Sequence, residues 1–380
     1  MRYVIIIIAL MSISLLSAGI FDSTITFPLV TVNPSSTSKA LGDVTGVANI
    51  WSGDPLNVWS NPALVAFHEG IRIGYMHDLY ADDYTDNMGY NKYYQNVAIG
   101  SFAKNGLGIS VPLPNYNGKI GNTFDYNLST SGDYKPYMYD TVSEISLAFN
   151  PYQFAWNKKS EASEQCFDAS VGISVNILSS RYYLDVISED SFSSHNEHIH
   201  GDATEINGGL LLRFDGAKYF HLQNLELQGT FGMAGTNLSN SNFKYKYEGF
   251  TGVSRTLPQD YRFGAGMYVG LPIRLIEKDN TAFTAYCPHF MSIVFLSGKL
   301  AFIDNSAKNG YGMEMGLLDI LYFRLGSCNT IGDIDMDNCT GWGLKLHQKG
   351  KWEFQYNSAS FNTSSMIDLH SQDIAVVYHF

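Results

Sequence analysis

The chain has little charge and less positive charge: only 16% of its residues are Asp, Glu, Lys or Arg, and 24 basic side chains face 36 acidic ones, for a net of -12. Without a basic excess to neutralise phosphates, a nucleic-acid partner is not expected. Cysteine stops at four, which rules out a scaffold built on disulfides. Neither a Gly-x-Ser-x-Gly elbow nor a Gly-rich phosphate loop occurs, so nothing marks an enzyme, and neither a metal nor a cofactor is expected. Long apolar runs are missing too, with one exception. Arg2 precedes an apolar stretch over residues 4–16, broken only by Ser12 and Ser14 and followed by Ser17, Ala18 and Gly19. That stretch is shorter than the roughly 20 residues a spanning helix needs. It reads as a signal peptide over residues 1–19, and the mature chain can then enter a membrane only as a β-barrel.

What the chain does have is aromatic side chains, at 14% with 25 Tyr and 23 Phe, together with 35 Gly. Apolar and polar residues alternate in segment after segment, the period of a strand with two unlike faces. Val171, Ile173, Val175 and Ile177 share one face against Ser170, Gly172, Ser174 and Asn176. The same holds for Leu107, Ile109 and Val111, for Ile145, Leu147 and Phe149, and for Met313, Met315 and Leu317. Connections alternate as well, between short turns such as Lys104-Asn105-Gly106 and long polar stretches such as residues 112–140, 179–205, 233–260 and 327–340. Short turns on one side and long loops on the other are the habit of outer-membrane barrels. The expected fold is therefore all-β: a transmembrane antiparallel barrel of about 14 strands over residues 70–380. Residues 20–69 are not barrel-like and are long enough to fold into the lumen as a plug.

That N-terminal segment carries recognisable motifs. Ala40-Leu41-Gly42-Asp43, Gly46-Val47-Ala48, Asp54 and Trp59-Ser60-Asn61-Pro62-Ala63-Leu64 resemble the N-terminal signature of the FadL/PorV superfamily of outer-membrane barrels. Gly235-Thr236-Asn237-Leu238-Ser239-Asn240, the stretch Leu257-Pro258-Gln259-Asp260-Tyr261-Arg262-Phe263-Gly264-Ala265-Gly266 and Phe323-Arg324-Leu325-Gly326 are similar to later patterns of PorV/PorQ-like members. The signature usually carries an acidic pair before Asn-Pro-Ala, whereas here only Asp54 stands, followed by Pro55. The resemblance implies an outer-membrane location in a Gram-negative-type bacterium, and outer-membrane lipid as surroundings. On the PorV/PorQ side, slightly favoured by the mid-chain patterns, it implies a role in protein secretion, handing cargo proteins to the cell surface. On the FadL side it implies a channel for hydrophobic small molecules such as fatty acids, gated by the plug. A purely structural barrel is the third reading.

Particular residues follow from these readings. Trp59, Asn61, Pro62 and Ala63 form the expected plug or gate, with Pro62 fixing a turn that the Asn61 side chain stabilises. At the other end Ile374, Val376, Tyr378 and Phe380 alternate with polar or smaller residues, and a strand closing on Tyr378 and Phe380 resembles the assembly signal read by the barrel-insertion machinery. Cys328 and Cys339 stand at the two feet of one expected outer loop, either bridged or as two thiols. Cys166 and Cys287 fall in connections on the opposite side. His195, His198 and His200 with Glu197 and Asp202, and the run Asp333, Asp335, Asp337, read as exposed polar loops rather than metal sites. The first lacks a fixed ligand geometry, and the second lacks the later Gly and Glu of a calcium loop.

Overall fold

The computed structural model describes residues 33–81, 90–115, 118–128, 134–156, 166–186, 195–247, 254–273, 288–302, 307–330, 336–348, 351–363 and 368–380. The proposed signal peptide, Cys287, Asp333 and Asp335 lie outside the described residues.

One antiparallel sheet holds all the strands: β1 (Gly70–Ala81), β2 (Tyr90–Lys104), β3 (Leu107–Pro112), β4 (Asn122–Leu128), β5 (Tyr134–Phe149), β6 (Phe167–Val186), β7 (His195–Asp215), β8 (Glu226–Gly235), β9 (Asn242–Tyr247), β10 (Ser254–Thr256), β11 (Asp260–Pro272), β12 (His289–Phe302), β13 (Ala307–Leu317), β14 (Leu321–Thr330), β15 (Met336–Gln348), β16 (Trp352–Thr363) and β17 (Asp368–Tyr378). β17 pairs back onto β1, Ile71 opposite Tyr378 and Tyr75 opposite Ile374, so the sheet closes and leaves no edge. β3 and β4 share one stave between β2 and β5; β9 continues β8, and β10 leads into β11. The result is a closed barrel of 14 staves.

The two faces separate as the alternation requires. Ile71, Ile73, Leu147, Ile173, Phe323 and Trp342 point outward and are exposed, while their sequence neighbours Arg72, Ser146, Ser174 and Arg324 point inward and are buried. An apolar exterior over a polar interior can be solvated only by lipid outside, and that places the barrel in an outer membrane. Aromatic pairs ring the short-turn end: Phe149 with Phe154, Phe167 with Phe214, Tyr219 with Phe220, and Trp352 with Tyr378. Phe380 lies just beyond β17, exposed, its ring 5.6 Å from Phe102 and 6.0 Å from Tyr378, with Lys104 Nζ 4.9 Å above it.

Two short turns show the backbone chemistry of tight hairpins. Asn105 and Gly106 both have positive φ, the geometry of a two-residue turn whose twist matches its strands, and Leu318 and Asp319 have it in the three-residue turn between Leu317 and Leu321. The long connections are shorter than the sequence suggests. The polar stretch over 179–205 is mostly β6 and β7, and that over 233–260 carries β9 and β10, because Tyr, Ile and Thr among their polar residues favour strands that run on beyond the barrel wall. The histidine-bearing segment is thus strand, with His200 opposite Arg181 and Asp202 ion-paired to Arg181 at 3.3 Å. On the opposite side, part of the long connection after β5 is a helical turn, Pro151–Trp156.

Candidate functional site

Residues 33–69 fill the lumen. They form one short helix, α1 (Ser36–Ala40), and three 3-10 turns, Val44–Ala48, Pro55–Trp59 and Pro62–Phe67. Three of the four starts are set by a capping side chain; Val44–Ala48, after Asp43, has none. Ser35 accepts from Ser38 N, Asp54 from Leu56 N and Asn61 from Ala63 N, and a proline follows at the first helical position in the last two. The Asp54-Pro55 and Asn61-Pro62-Ala63 motifs are therefore cap-and-proline starts of single turns. Asn61 does more than cap: its amide donates to Val47 O at 2.9 Å and to Leu210 O at 3.1 Å, tying two parts of the plug to the wall.

The plug lies directly on a belt of inward-facing glycines. A Cβ on Gly298 would stand 2.5 Å from Val44 O, on Gly326 2.5 Å from Gly42 N, on Gly264 2.5 Å from Val47 Cγ1, and on Gly108 2.8 Å from Val65 Cγ1. Real Cβ atoms do not approach so closely, so any larger residue at these positions displaces the plug or the wall. The close approach lets wall side chains reach plug carbonyls. Ser170 donates to Ala63 O and Thr230 to Ala48 O, both at 2.8 Å, Arg72 to Gly53 O at 2.7 Å, and Arg262 to Trp59 O at 3.3 Å.

Charge anchors the start of the plug. Lys39 Nζ lies 2.9 Å from Asp78 Oδ2 on β1 with both side chains buried, and donates to Ser371 Oγ at 3.0 Å. Ser371 donates to the same Asp78 oxygen at 2.5 Å, and Gln372 N to the other at 2.8 Å. Ser36 N donates to Asp373 Oδ2 at 2.8 Å, and Ser35 Oγ to Asp54 Oδ2 at 2.5 Å. Burial raises the Asp54 pKa against the pull of these hydrogen bonds. At the other end of the plug, burial and then the nearby Arg72 guanidinium hold the His68 pKa down at about 3, while His68 Nε2 meets Ile50 O at 2.8 Å.

The expected gate residues are thus gathered in one place. Trp59, Asn61, Pro62 and Ala63 are buried, and the Trp59 carbonyl accepts from Arg262. The mid-chain motifs also serve this architecture. Asn237 accepts from Ser241 N at 2.7 Å and donates to Leu257 O at 3.0 Å, and Arg262 pairs with Asp260 at 3.2 Å while holding the plug. Cys328 and Cys339 face the lumen on β14 and β15, one rung apart at a register shift. Cys328 packs with Val44 of the plug. Among the described residues, no group of three or more His, Cys, Asp or Glu is arranged to hold a metal ion.

The stretch 112–140, expected as one long connection, instead carries β4 and the start of β5, because the wall resumes after a short insertion. β3 ends at Pro112, opposite Ile99, and Leu113 N still donates to Ala98 O at 2.8 Å. The stave then leaves the wall as a small hairpin, Pro114 bridging to Ile120, and resumes with Thr123 opposite Asn96. Leu113 and Asn122 thus sit on consecutive rungs of β2. Counting along β5 gives the same answer: Ser110 lies opposite Ser146 and Asn122 opposite Val142, so residues 111–113 match 145–143. The described ladder to β5 nevertheless skips Ser143, Glu144 and Ile145, and Ser143 Oγ instead donates to Ile120 O at 3.0 Å. Residues 114–121 are an in-register insertion that interrupts the wall. Its outer rim is apolar, with Val111, Ile120 and Ile145 exposed.

No family model matches the chain, and no curated protein does. Among solved structures it is similar to the CymD monoaromatic hydrocarbon channel, at 12% identity and a TM-score of 0.45 over 93% of this chain and 99% of that one. It is similar as well to the P. putida toluene transporter TodX, at 10% and 0.42 over 91% and 98%. A Pseudomonas aeruginosa FadL homologue matches at 10% and 0.40 over 96% and 100%. Similarity this distant carries no argument about what passes through this barrel.

Proposed function

We propose that this protein is a FadL-like outer-membrane channel for small hydrophobic molecules, closed by its N-terminal plug, with the interruption beside β3 as the lateral route out of the lumen. The observation that carries this reading is the in-register insertion of residues 114–121. A water-soluble solute needs only an open lumen, whereas a hydrophobic one gains by leaving through the wall into lipid, and that requires a break in a ladder that otherwise closes the barrel. Val111, Ile120 and Ile145 give the break an apolar outer rim. This reading is preferred over cargo handover because the motifs that suggested secretion serve the packing of plug and turns.

Deleting residues 114–121 tests it. The deletion joins Leu113 to Asn122, restores both ladders and leaves the plug untouched. Proteoliposomes with the shortened chain are expected to lose influx of a hydrophobic dye while the barrel keeps its heat-modifiable gel migration. Unchanged dye influx, or a parent protein that carries a hydrophilic sugar better than the dye, would refute the proposal.

A further inference from the structure

At the short-turn end of the barrel, plug and wall leave a cavity of about 280 Å³ that the gating scheme does not use. The short turns mark this as the periplasmic mouth. Trp51 of the plug forms one side, stacked on Tyr268 with centroids 5.8 Å apart and its Nε1 donating to Gln228 at 3.1 Å. Tyr268 in turn meets His289 edge-on at 5.9 Å. On the facing side Lys345 Nζ sits 4.7 Å over the Tyr322 ring and 3.4 Å from Trp51 O.

Four carboxylates line the same space: Glu226, Glu314, Asp319 and Glu353. Glu314 is engaged by Arg324 at 2.6 Å, and Glu353 lies 3.5 Å from both His347 and His379. Asp319 and Glu226 approach His289 from its two nitrogens, at 3.0 and 3.1 Å. The Glu226 side chain is 42% exposed, so a ligand entering from the mouth can reach it.

Three aromatic rings and four carboxylates, against Lys345, the Arg324 that engages Glu314, and histidines that carry charge only when protonated, make a site for positive charge. An anion would meet the carboxylates, and a hydrocarbon would strip water from them without return. Aromatic faces attract cations, and a guanidinium can stack on a ring while forking onto a carboxylate. Lys345 already shows the environment accepting an ammonium against a ring.

We propose that this cavity binds an organic cation, a guanidinium or primary ammonium, seated on the Trp51–Tyr268 stack and held by Glu226 and Asp319. Two sources share that chemistry: a free amine, or a basic side chain of a periplasmic polypeptide. The proposal stands apart from the hydrophobic pathway, and neither depends on the other.

Calorimetric titration of the full-length protein in detergent micelles tests it, with agmatine and a short Arg-Arg peptide as probes. Agmatine is expected to bind, and Glu226→Gln and Tyr268→Leu are each expected to weaken it roughly tenfold or more, the effect of losing a hydrogen bond to charge or a cation–π face. Heat-modifiable migration shows that each variant is still a folded barrel. A peptide that binds at least tenfold more tightly than agmatine assigns the site to a polypeptide partner, and equal binding assigns it to a free amine. The proposal fails if neither probe binds, if both variants bind agmatine as the parent does, or if a neutral oligosaccharide binds where the cations do not.

Discussion

Replacing two wall glycines should open the channel without touching the plug sequence. A Cβ on Gly232 of β8 would fall on the carbonyl oxygen of Val47, 2.8 Å from its carbonyl carbon and 3.1 Å from Ala48 Cα. On Gly172 of β6 it would fall on Ala63 N, 2.5 Å from the carbonyl carbon of Pro62 and 2.8 Å from Ala63 Cα. These are backbone atoms and cannot rotate away, so each substitution forces overpacking that costs about 1–3 kcal/mol. The two positions lie on different strands and touch different turns, so about 2–6 kcal/mol is the additive limit; Val47 O and Ala63 N both hydrogen-bond to Asn61, and any shortfall measures that coupling. At 1.4 kcal/mol per tenfold, the docked-to-released ratio of the plug falls between roughly thirtyfold and ten-thousandfold. The wall ladders are unaffected, because alanine keeps every backbone donor and acceptor. Gly172→Ala/Gly232→Ala in planar bilayers should therefore show new conductance with unchanged heat-modifiable migration. Gly229→Ala is the control, as its Cβ would meet only Gly266 O, at 3.9 Å. A double variant as closed as the parent would show that the plug does not depend on this belt.

Three further outcomes follow from the plug contacts. Lys39→Met leaves Asp78 buried without its cation and should weaken docking by about 3–5 kcal/mol, while Lys39→Met/Asp78→Asn should lose much less, measured as conductance in a double-mutant cycle. Asn61→Ala removes a cap and leaves the carbonyls of Val47 and Leu210 without its amide, for a loss of about 2–4 kcal/mol that hydrogen exchange over residues 61–67 would register as faster opening. Between pH 6.5 and about 3 a released plug takes up a proton on His68 that the docked plug refuses, so this contribution to docking is intact above pH 6.5 and falls with acid by about 1.4 kcal/mol per unit. Asp54, with its pKa raised, works in the opposite sense and favours docking in acid. From pH 7.5 to 4.5 the parent should thus lose more docking, or gain less, than His68→Gln, read as conductance; the same pH profile in both would remove His68 from the account.

The barrel was legible because its physics is periodic. Each stave must show lipid an apolar face and the lumen a polar one, so Val171-Gly172-Ile173-Ser174 declares a strand without reference to any other part of the chain. Strand extent was less legible. Beyond the hydrocarbon nothing enforces alternation, and the polar ends of β6 and β7 look like loop although their backbones still pair. The glycine belt was hidden for a related reason. Gly108, Gly172 and Gly232 each occupy an ordinary polar-face position, and only closure of the sheet shows that all of them face the path of one segment near the N-terminus.

The same distinction separates what the motifs could say from what they could not. Asn61-Pro62-Ala63, Asn237 and Arg262 can be read in sequence because they perform local tasks: capping a turn, closing a loop, pairing with a residue two positions away. Those tasks are common to any barrel that carries a plug, and so the motifs point to an architecture while staying silent on cargo. What distinguishes this barrel lies elsewhere. The insertion after Leu113 is recognisable only through its rungs on β2 and β5, and the cavity at the mouth draws Trp51, Glu226, Tyr268, Asp319 and Lys345 from positions far apart in the chain. Neither leaves a local spacing to detect, because each is created by closure of the cylinder around the plug. Passage of hydrophobic solutes should therefore respond to changes at the insertion, cation binding to changes at the mouth, and plug stability to changes in the motifs.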